Sequence, residues 1–346
     1  KDPEWRMPAA YVQVLLQHAA SQNLPLDLPL RGTRLAPGAL DQRNHPVPVT
    51  EIRRVMANLT RGLGPGWHLS LEERLTATAH GPLGFAVVTA PDMRASIGVL
   101  LRYIGIRGPF LWPAGTLEDG QYVVRFFEST EMGEERRMLI ELALLSAQGL
   151  IERPLGREMH GARLALAYSP PAYRERMETV FHADLAFDAR RHSLRFPAQW
   201  LDQPCALHDA AMHRYLLGRC EEELRQAQGG LSAEVSVRQA LLARPGEWPG
   251  LAEVAAQQHV SPRTLIRRLK RGKTSYQQIL DDVRRTLAVD FLLNSELTVS
   301  RIGYRLGYQD PSNFGRAFRG WFGCSPGQYR VRQPQPSKPS ESILAS

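Results

Sequence analysis

The chain has 346 residues, 43% of them apolar and 23% charged, ordinary proportions for a globular protein of two or three domains. No apolar run approaches the roughly 18 residues of a membrane span, so no membrane partner is expected. The formal net charge of +8 suggests a polyanionic partner, and three cysteines without a C-x-x-C pair (Cys205, Cys220, Cys324) point away from a disulfide framework and toward a reducing, cytoplasmic compartment.

In chain order, the six residues before Met7, KDPEWR, read either as an added leader or as native chain, and no signal-peptide order is present. Residues 8–225 are expected to form an α+β domain. Helical periodicity appears near 9–21, 49–62, 92–104, 134–151 and 205–226, with β-like runs at 121–130 and 162–169 and a further strand at 194–196 close to 184–187. GLGPGW, 62–67, has alternating glycines but no preceding strand, so it reads as a turn rather than a phosphate loop. The boundary is expected at 226–232, where Gly229-Gly230 breaks a helix and Ser232 can cap the next. The rest, 233–332, reads as all-α, with helices at 233–243, 251–258, 262–271, 274–293, 298–306 and 311–322. The tail 333–346 is rich in Pro and Ser and reads as disordered.

The all-α part contains a repeat. Leu251, Val254, Ala255 and Val260 recur 48 residues later as Val299, Ile302, Gly303 and Tyr308. One extra residue then enters the turn, so that Ser261-Pro262, Leu265, Arg267 and Leu269 match Asp310-Pro311, Phe314, Arg316 and Phe318. Small Ala255 and Gly303 let a second helix cross closely, while His259 and Gly307 end the first. Ser261 and Asp310 are cap residues, each followed by Pro at the first helical position. Leu265/Leu269 and Phe314/Phe318, spaced i, i+4, share an inward face. The outward face then carries arginines. This is the layout of a helix-turn-helix, whose second helix enters the DNA major groove.

Charge agrees. Residues 231–334 hold sixteen Lys and Arg against eight Asp and Glu, so the local excess equals the net charge of the whole chain. Between the repeats, Tyr276, Leu280, Val283, Leu287 and Phe291 recur along a 20-residue helix. Such a helix is about 30 Å long, near the ~34 Å advance of one duplex turn. One chain could thus place two recognition helices in successive grooves of double-stranded DNA and read an asymmetric site.

GYQDPSNFGRAFRGWFGCSPGQYR, 307–330, with Phe314, Arg316, Phe318, Gly323, Pro326 and Tyr329, resembles the second helix-turn-helix and closing segment of the AraC/XylS family of bacterial transcription regulators. The resemblance covers about 232–332 and implies two helix-turn-helix units joined by a long linker helix, acting on transcription, in the commoner case as an activator, with RNA polymerase as a partner. His259 stands where Gly is commoner, Gly303 where Ala is usual, and Gly315 lies inside the second recognition helix. More loosely, 80–104 and 181–204 resemble the so-called arabinose-binding domain of the subgroup of ornithine-utilisation and virulence regulators. That implies a domain that senses a small-molecule effector, forms a homodimer, or both.

Within this frame Arg263 and Arg267 are expected to read guanine, Ile266 to touch a thymine methyl, and Ser312, Asn313 and Arg316 to face the second groove. Thr264, Pro311 and Gly315 complete the contact set, Gly315 by allowing close approach. Arg268, Lys270, Arg271 and Arg319 are expected on phosphates. Two other readings compete with this one. An enzyme is disfavoured: His208 and His213 near Cys205 lack the i, i+4 spacing of a zinc helix, no catalytic motif has its setting, and neither metal nor cofactor is called for. A purely architectural DNA-binding protein would not need a neutral domain of some 225 residues. An apolar pocket with a few polar anchors in the first domain would favour sensing, and a featureless surface with a large apolar patch would favour dimerisation alone.

Overall fold

The computed structural model describes residues 6–25, 27–35, 37–108, 110–128, 135–228, 233–242, 245–258, 260–295 and 297–332. Gly229, Gly230, Ser232, His259 and the tail 333–346 lie outside them. The chain divides after residue 232 into two compact units.

The first unit begins with β1 (Arg6–Pro8), α1 (Ala9–Ser21), α2 (Pro37–Leu40), β2 (Pro46–Pro48) and α3 (Val49–Leu63). Strands β1 and β2 pair antiparallel, and each leads through a proline into a helix. Helix α3 buries Ile52, Val55, Met56 and Leu59 along one stripe, the amphipathic pattern its sequence carries. It ends where Gly64 and Gly66 adopt φ of 81° and 80°, a left-handed turn that L side chains resist. GLGPGW is therefore a turn. Helices α4 (Pro82–Val88) and α5 (Met93–Tyr103) follow, α5 capped by Asp92, whose carboxylate accepts from the Ala95 amide at 2.8 Å.

Strands β3 (Leu111–Glu118) and β4 (Gln121–Glu128) form a hairpin across Asp119-Gly120, both with positive φ, as a two-residue turn of this hand requires. Helix α6 (Arg136–Leu155) comes next, then β5 (Arg163–Ala165), α7 (Arg174–Val180), β6 (Asp184–Ala186), β7 (Ser193–Pro197) and α8 (Ala210–Gln228). The five-stranded sheet has the order β3-β4-β7-β5-β6, with β5 and β6 parallel and the other pairs antiparallel. The two strands expected close together, 184–187 and 194–196, share a sheet, with β5 between them. Strand β3 escaped the sequence reading because Pro113 and Gly115 interrupt its pattern. An edge strand tolerates proline, and a side chain at 115 would strike the Tyr122 hydroxyl of β4.

The core joins α1, α3, α5 and α6 to one face of the sheet, with Met56, Met93, Ile140 and Phe196 fully buried. Buried charges are paired. Arg125 donates to both carboxylate oxygens of Glu118 at 2.8 Å, and Glu141 accepts from Tyr168 and Tyr173 while bonded to His68.

The second unit contains α9 (Ala233–Leu242), α10 (Leu251–Gln257), α11 (Pro262–Arg271), α12 (Tyr276–Asn294), α13 (Val299–Arg305), α14 (Pro311–Phe322) and α15 (Pro326–Arg332). Helix α12, 19 residues and about 28 Å long, is its axis. It buries Leu280, Val283, Leu287 and Phe291, and α9, α13 and α15 pack against it. Among the described residues no helix is long and apolar enough to cross a membrane.

Candidate nucleic-acid interface and apolar cavity

Each recognition helix is fixed by local chemistry. Ser261 Oγ accepts from the Thr264 amide at 3.2 Å, Pro262 opens α11, and Leu265 and Leu269 are buried. Asp310 accepts from the Ser312 amide at 2.8 Å, Pro311 opens α14, and Phe314 and Phe318 are fully buried. The amide bond from Ser312 holds the Asp310 carboxyl below the usual carboxylate range, so the cap is charged at neutral pH.

Among the described residues the two turns share their backbone bonds at three equivalent places. The Gln258 amide donates to the carbonyls of Val254 and Ala255, and that of Leu306 to Ile302 and Gly303; the Val260 amide donates to Ala255, and that of Tyr308 to Gly303, both at 3.0 Å. The second turn passes through Gly307 at φ 75°, and a side chain there would collide with Trp248 and the Gly246 carbonyl. Ala255 and Gly303 lie buried beneath the crossing.

The residues expected at DNA sit on the opposite sides of these helices. Arg263, Ile266, Arg267, Arg268, Lys270 and Arg271 of α11 are exposed and Thr264 is half-buried. On α14, Ser312, Asn313, Arg316 and Arg319 are exposed, with Pro311 and Gly315 half-buried. Ile266 keeps 40% of its surface in solvent, unusual for so apolar a residue between arginines. Arg316 donates to Asn313 Oδ1 at 2.5 Å, so these two side chains are held as one unit.

Several basic residues of this segment serve the fold instead. Arg284 lies over the rings of Trp248 (5.6 Å) and Tyr308 (4.9 Å), and Trp248 Nε1 donates to the Leu306 carbonyl. Arg330 donates to the carbonyls of Leu292 and Leu297, binding α15 to the end of α12. Arg238 pairs with Glu234 and Asp282. Sequence reading missed these roles. The one local signal was Trp248 itself, a large aromatic in the turn-rich stretch PGEWPG.

His208 and His213 are bonded to the Thr89 and Ala86 carbonyls, so they join the start of α8 to α4. Cys205, Cys220 and Cys324 are buried thiols, and burial raises Cys205 to about 11 and Cys220 to about 12. Among the described residues no group of three His, Cys, Asp or Glu could hold a metal.

The first unit holds a partly open cavity of about 110 Å³ between α1, α3, α5, α6 and the sheet. Its wall is made of side chains such as Leu15, Met56, Leu100, Phe110, Phe126 and Leu139. Polar groups gather around Tyr11, His80 and Arg107. The Tyr11 hydroxyl is bonded to His80 Nδ1 at 2.9 Å, and Arg107 pairs with Glu223 of α8 at 2.5 Å. Burial, helped by the Arg107 charge, pulls His80 down to about 4, and burial pushes the Tyr11 phenol up, so both are neutral at pH 7.

A duplicated helix-turn-helix behind a separate α/β unit with a cavity defines a two-domain DNA-binding regulator. Residues 25–205 match the family described as the arabinose-binding domain of AraC transcription regulator, N-terminal, and residues 254–332 match a helix-turn-helix domain. The chain is 33% identical over 327 residues to the ornithine utilization regulator of Pseudomonas aeruginosa, covering 94% of this chain and 96% of that one. It is 25% identical to the transcriptional regulator VqsM of the same organism, over 78% and 82% of the two chains. The crystal structure of the transcriptional regulator CdpR, also from P. aeruginosa, covers 93% of this chain and 98% of its own at 23% identity, with a TM-score of 0.46. The chain belongs to the AraC family of transcription regulators, and these relatives are themselves transcription regulators.

Proposed function

We propose that this regulator reads an asymmetric duplex site with α11 and α14 in successive major grooves, under control of a small molecule held in the first unit. One observation carries the reading: two helices, each opened by a side-chain cap and a proline and each burying an i, i+4 apolar pair, leave an arginine-bearing side in solvent. The length of α12, about 28 Å, suits the ~34 Å advance between grooves. Arg263, Thr264, Ile266 and Arg267, with Pro311, Ser312, Asn313, Gly315 and Arg316, meet base edges. Arg268, Lys270, Arg271 and Arg319 meet phosphates and add affinity without sequence information.

The cavity supports the effector role, being apolar with a few convergent polar groups. Exposed Leu207, Met212 and Tyr215, in and before α8, support self-association through the first unit. Contact with RNA polymerase, activation and a cytoplasmic, nucleoid-associated location complete the proposal.

Selection from a random duplex library by the full chain tests it. The expected product is a non-palindromic site with two conserved elements about 10 bp apart. Failure to enrich any sequence, or enrichment of a single element, would refute the two-groove reading.

A further inference from the structure

We infer that the cavity takes a small monocarboxylate, its apolar body in the cavity and its carboxylate on Arg107 in place of Glu223. This deepens the effector proposal and rests on it.

Among the described residues lining the cavity, Arg107 alone carries a formal charge, since burial keeps His80 and Tyr11 neutral. Its side chain is 4% exposed, and its Nε has no hydrogen-bond partner. A buried guanidinium donor left unmatched is costly, and the guanidinium fork matches a carboxylate better than any neutral group. A cationic ligand would be repelled, and a neutral one would leave the fork as it is.

Size comes next. A protein cavity of about 150 Å³ lined by Leu, Ile and Phe holds benzene, and this one is about 110 Å³. The body is therefore one ring or a short alkyl chain, well below a drug-sized ligand.

The present partner can leave. Glu223 stands two residues beyond Glu221 on α8, its side chain 12% exposed, and the Asn44 amide lies 3.4 Å from its other oxygen. Exchanging one carboxylate for another keeps the guanidinium of Arg107 paired, and Glu223, 12% exposed, must then turn into solvent with the end of α8 rather than stay buried without a partner.

The exchange has a consequence. Among the described residues two carboxylates tie the last turns of α8 to the body: Glu221 to Arg102 and Tyr103, and Glu223 to Arg107 and Asn44. Helix α8 ends at Gln228, five residues before α9 opens the DNA-binding unit. A ligand that frees Glu223 loosens one of the two ties just where the chain leaves the first unit. Ligand chemistry is thereby converted into freedom of the connecting helix.

Thermal shift and titration calorimetry on the full chain with phenylacetate, phenylacetamide and benzylamine test this. Phenylacetate is expected to raise Tm and to bind about tenfold or more tighter than the amide, with no binding of the amine. Glu223→Gln removes the competitor and is expected to tighten phenylacetate several-fold. Arg107→Gln alone strands Glu223 and risks misfolding. The paired variant Arg107→Gln/Glu223→Gln removes both charges, and in it the carboxylate preference should vanish. Equal affinity for acid and amide in the unaltered protein would overturn the carboxylate assignment while leaving cavity sensing intact. So would unchanged or weaker phenylacetate binding by Glu223→Gln. No shift with any of the three compounds would overturn the cavity reading itself.

Discussion

The two helix-turn-helix copies share a frame and differ on both of its sides. Inside, α11 buries two leucines, whereas α14 buries two phenylalanines whose rings continue into Phe322 and Tyr329, with Phe318 centred 4.6 Å from Phe322 and 5.4 Å from Tyr329. The change at the crossing position fits this: a methyl group on Gly303 would come within 3.3 Å of Phe314, so the larger ring goes with the smaller partner. Outside, α11 exposes five cations, and α14 exposes two beside Ser312 and Asn313. Backbone geometry is thus set by caps and turn bonds, leaving each copy free to vary its core and its DNA side. The proposal that follows is a division of labour, with α11 supplying more of the affinity and α14 more of the discrimination.

The largest expected difference lies in the cores. Phe318→Ala should cost the second unit about 3–5 kcal/mol, and Leu269→Ala, with fewer ring neighbours, about 2–3 kcal/mol. Urea denaturation of both variants measures this, and a reversed order would break the claim that the aromatic copy is the heavier core.

Next come the readers. Arg316→Ala should weaken the selected site by about 1–3 kcal/mol and random duplex far less. Because Arg316 is bonded to Asn313, the double variant with Asn313→Ala should fall short of the sum of the two singles. Equal losses on both DNAs would remove Arg316 from base reading, and strict additivity would separate the pair.

Arg268→Ala and Lys270→Ala should act differently. Each is expected to weaken selected and random DNA alike and to lower the salt slope by about 1. A titration of binding against salt checks this, and an unchanged slope would move that residue off the phosphate backbone.

These helices were legible in the sequence because their signals are local. Ser261-Pro262 and Asp310-Pro311 state where each begins, and the i, i+4 apolar pair states which side is buried. What each arginine does was less legible. Arg267, Arg284 and Arg330 look alike in sequence, yet Arg284 lies over the rings of Trp248 and Tyr308 and Arg330 binds α15 to α12, roles set by tertiary neighbours. The cavity was not legible at all. Its lining is drawn from Met7 to Leu194, and the charged pair at its wall joins Arg107 to Glu223 across 116 residues. Strand β3 was hidden for a related reason, since Pro113 and Gly115 make sense only at a sheet edge beneath Tyr122.

The finest test uses a position where one copy has a large apolar side chain and the other a glycine. In the repeat Gly315 takes the place of Ile266, so one copy presents an exposed branched apolar group and the other bare backbone. A methyl group at 315 would meet nothing within 4 Å in the free protein, so Gly315→Ala should stabilise α14 by up to about 1 kcal/mol. If α14 needs close approach to the groove, the same substitution should weaken binding to the selected site, moving stability and affinity in opposite directions. A higher Tm with unchanged Kd would show that Gly315 leaves room for nothing. The contrast with Ile266 would then lie in what α11 gains from a thymine methyl, a gain that Ile266→Ala should remove only from sites with thymine at that position.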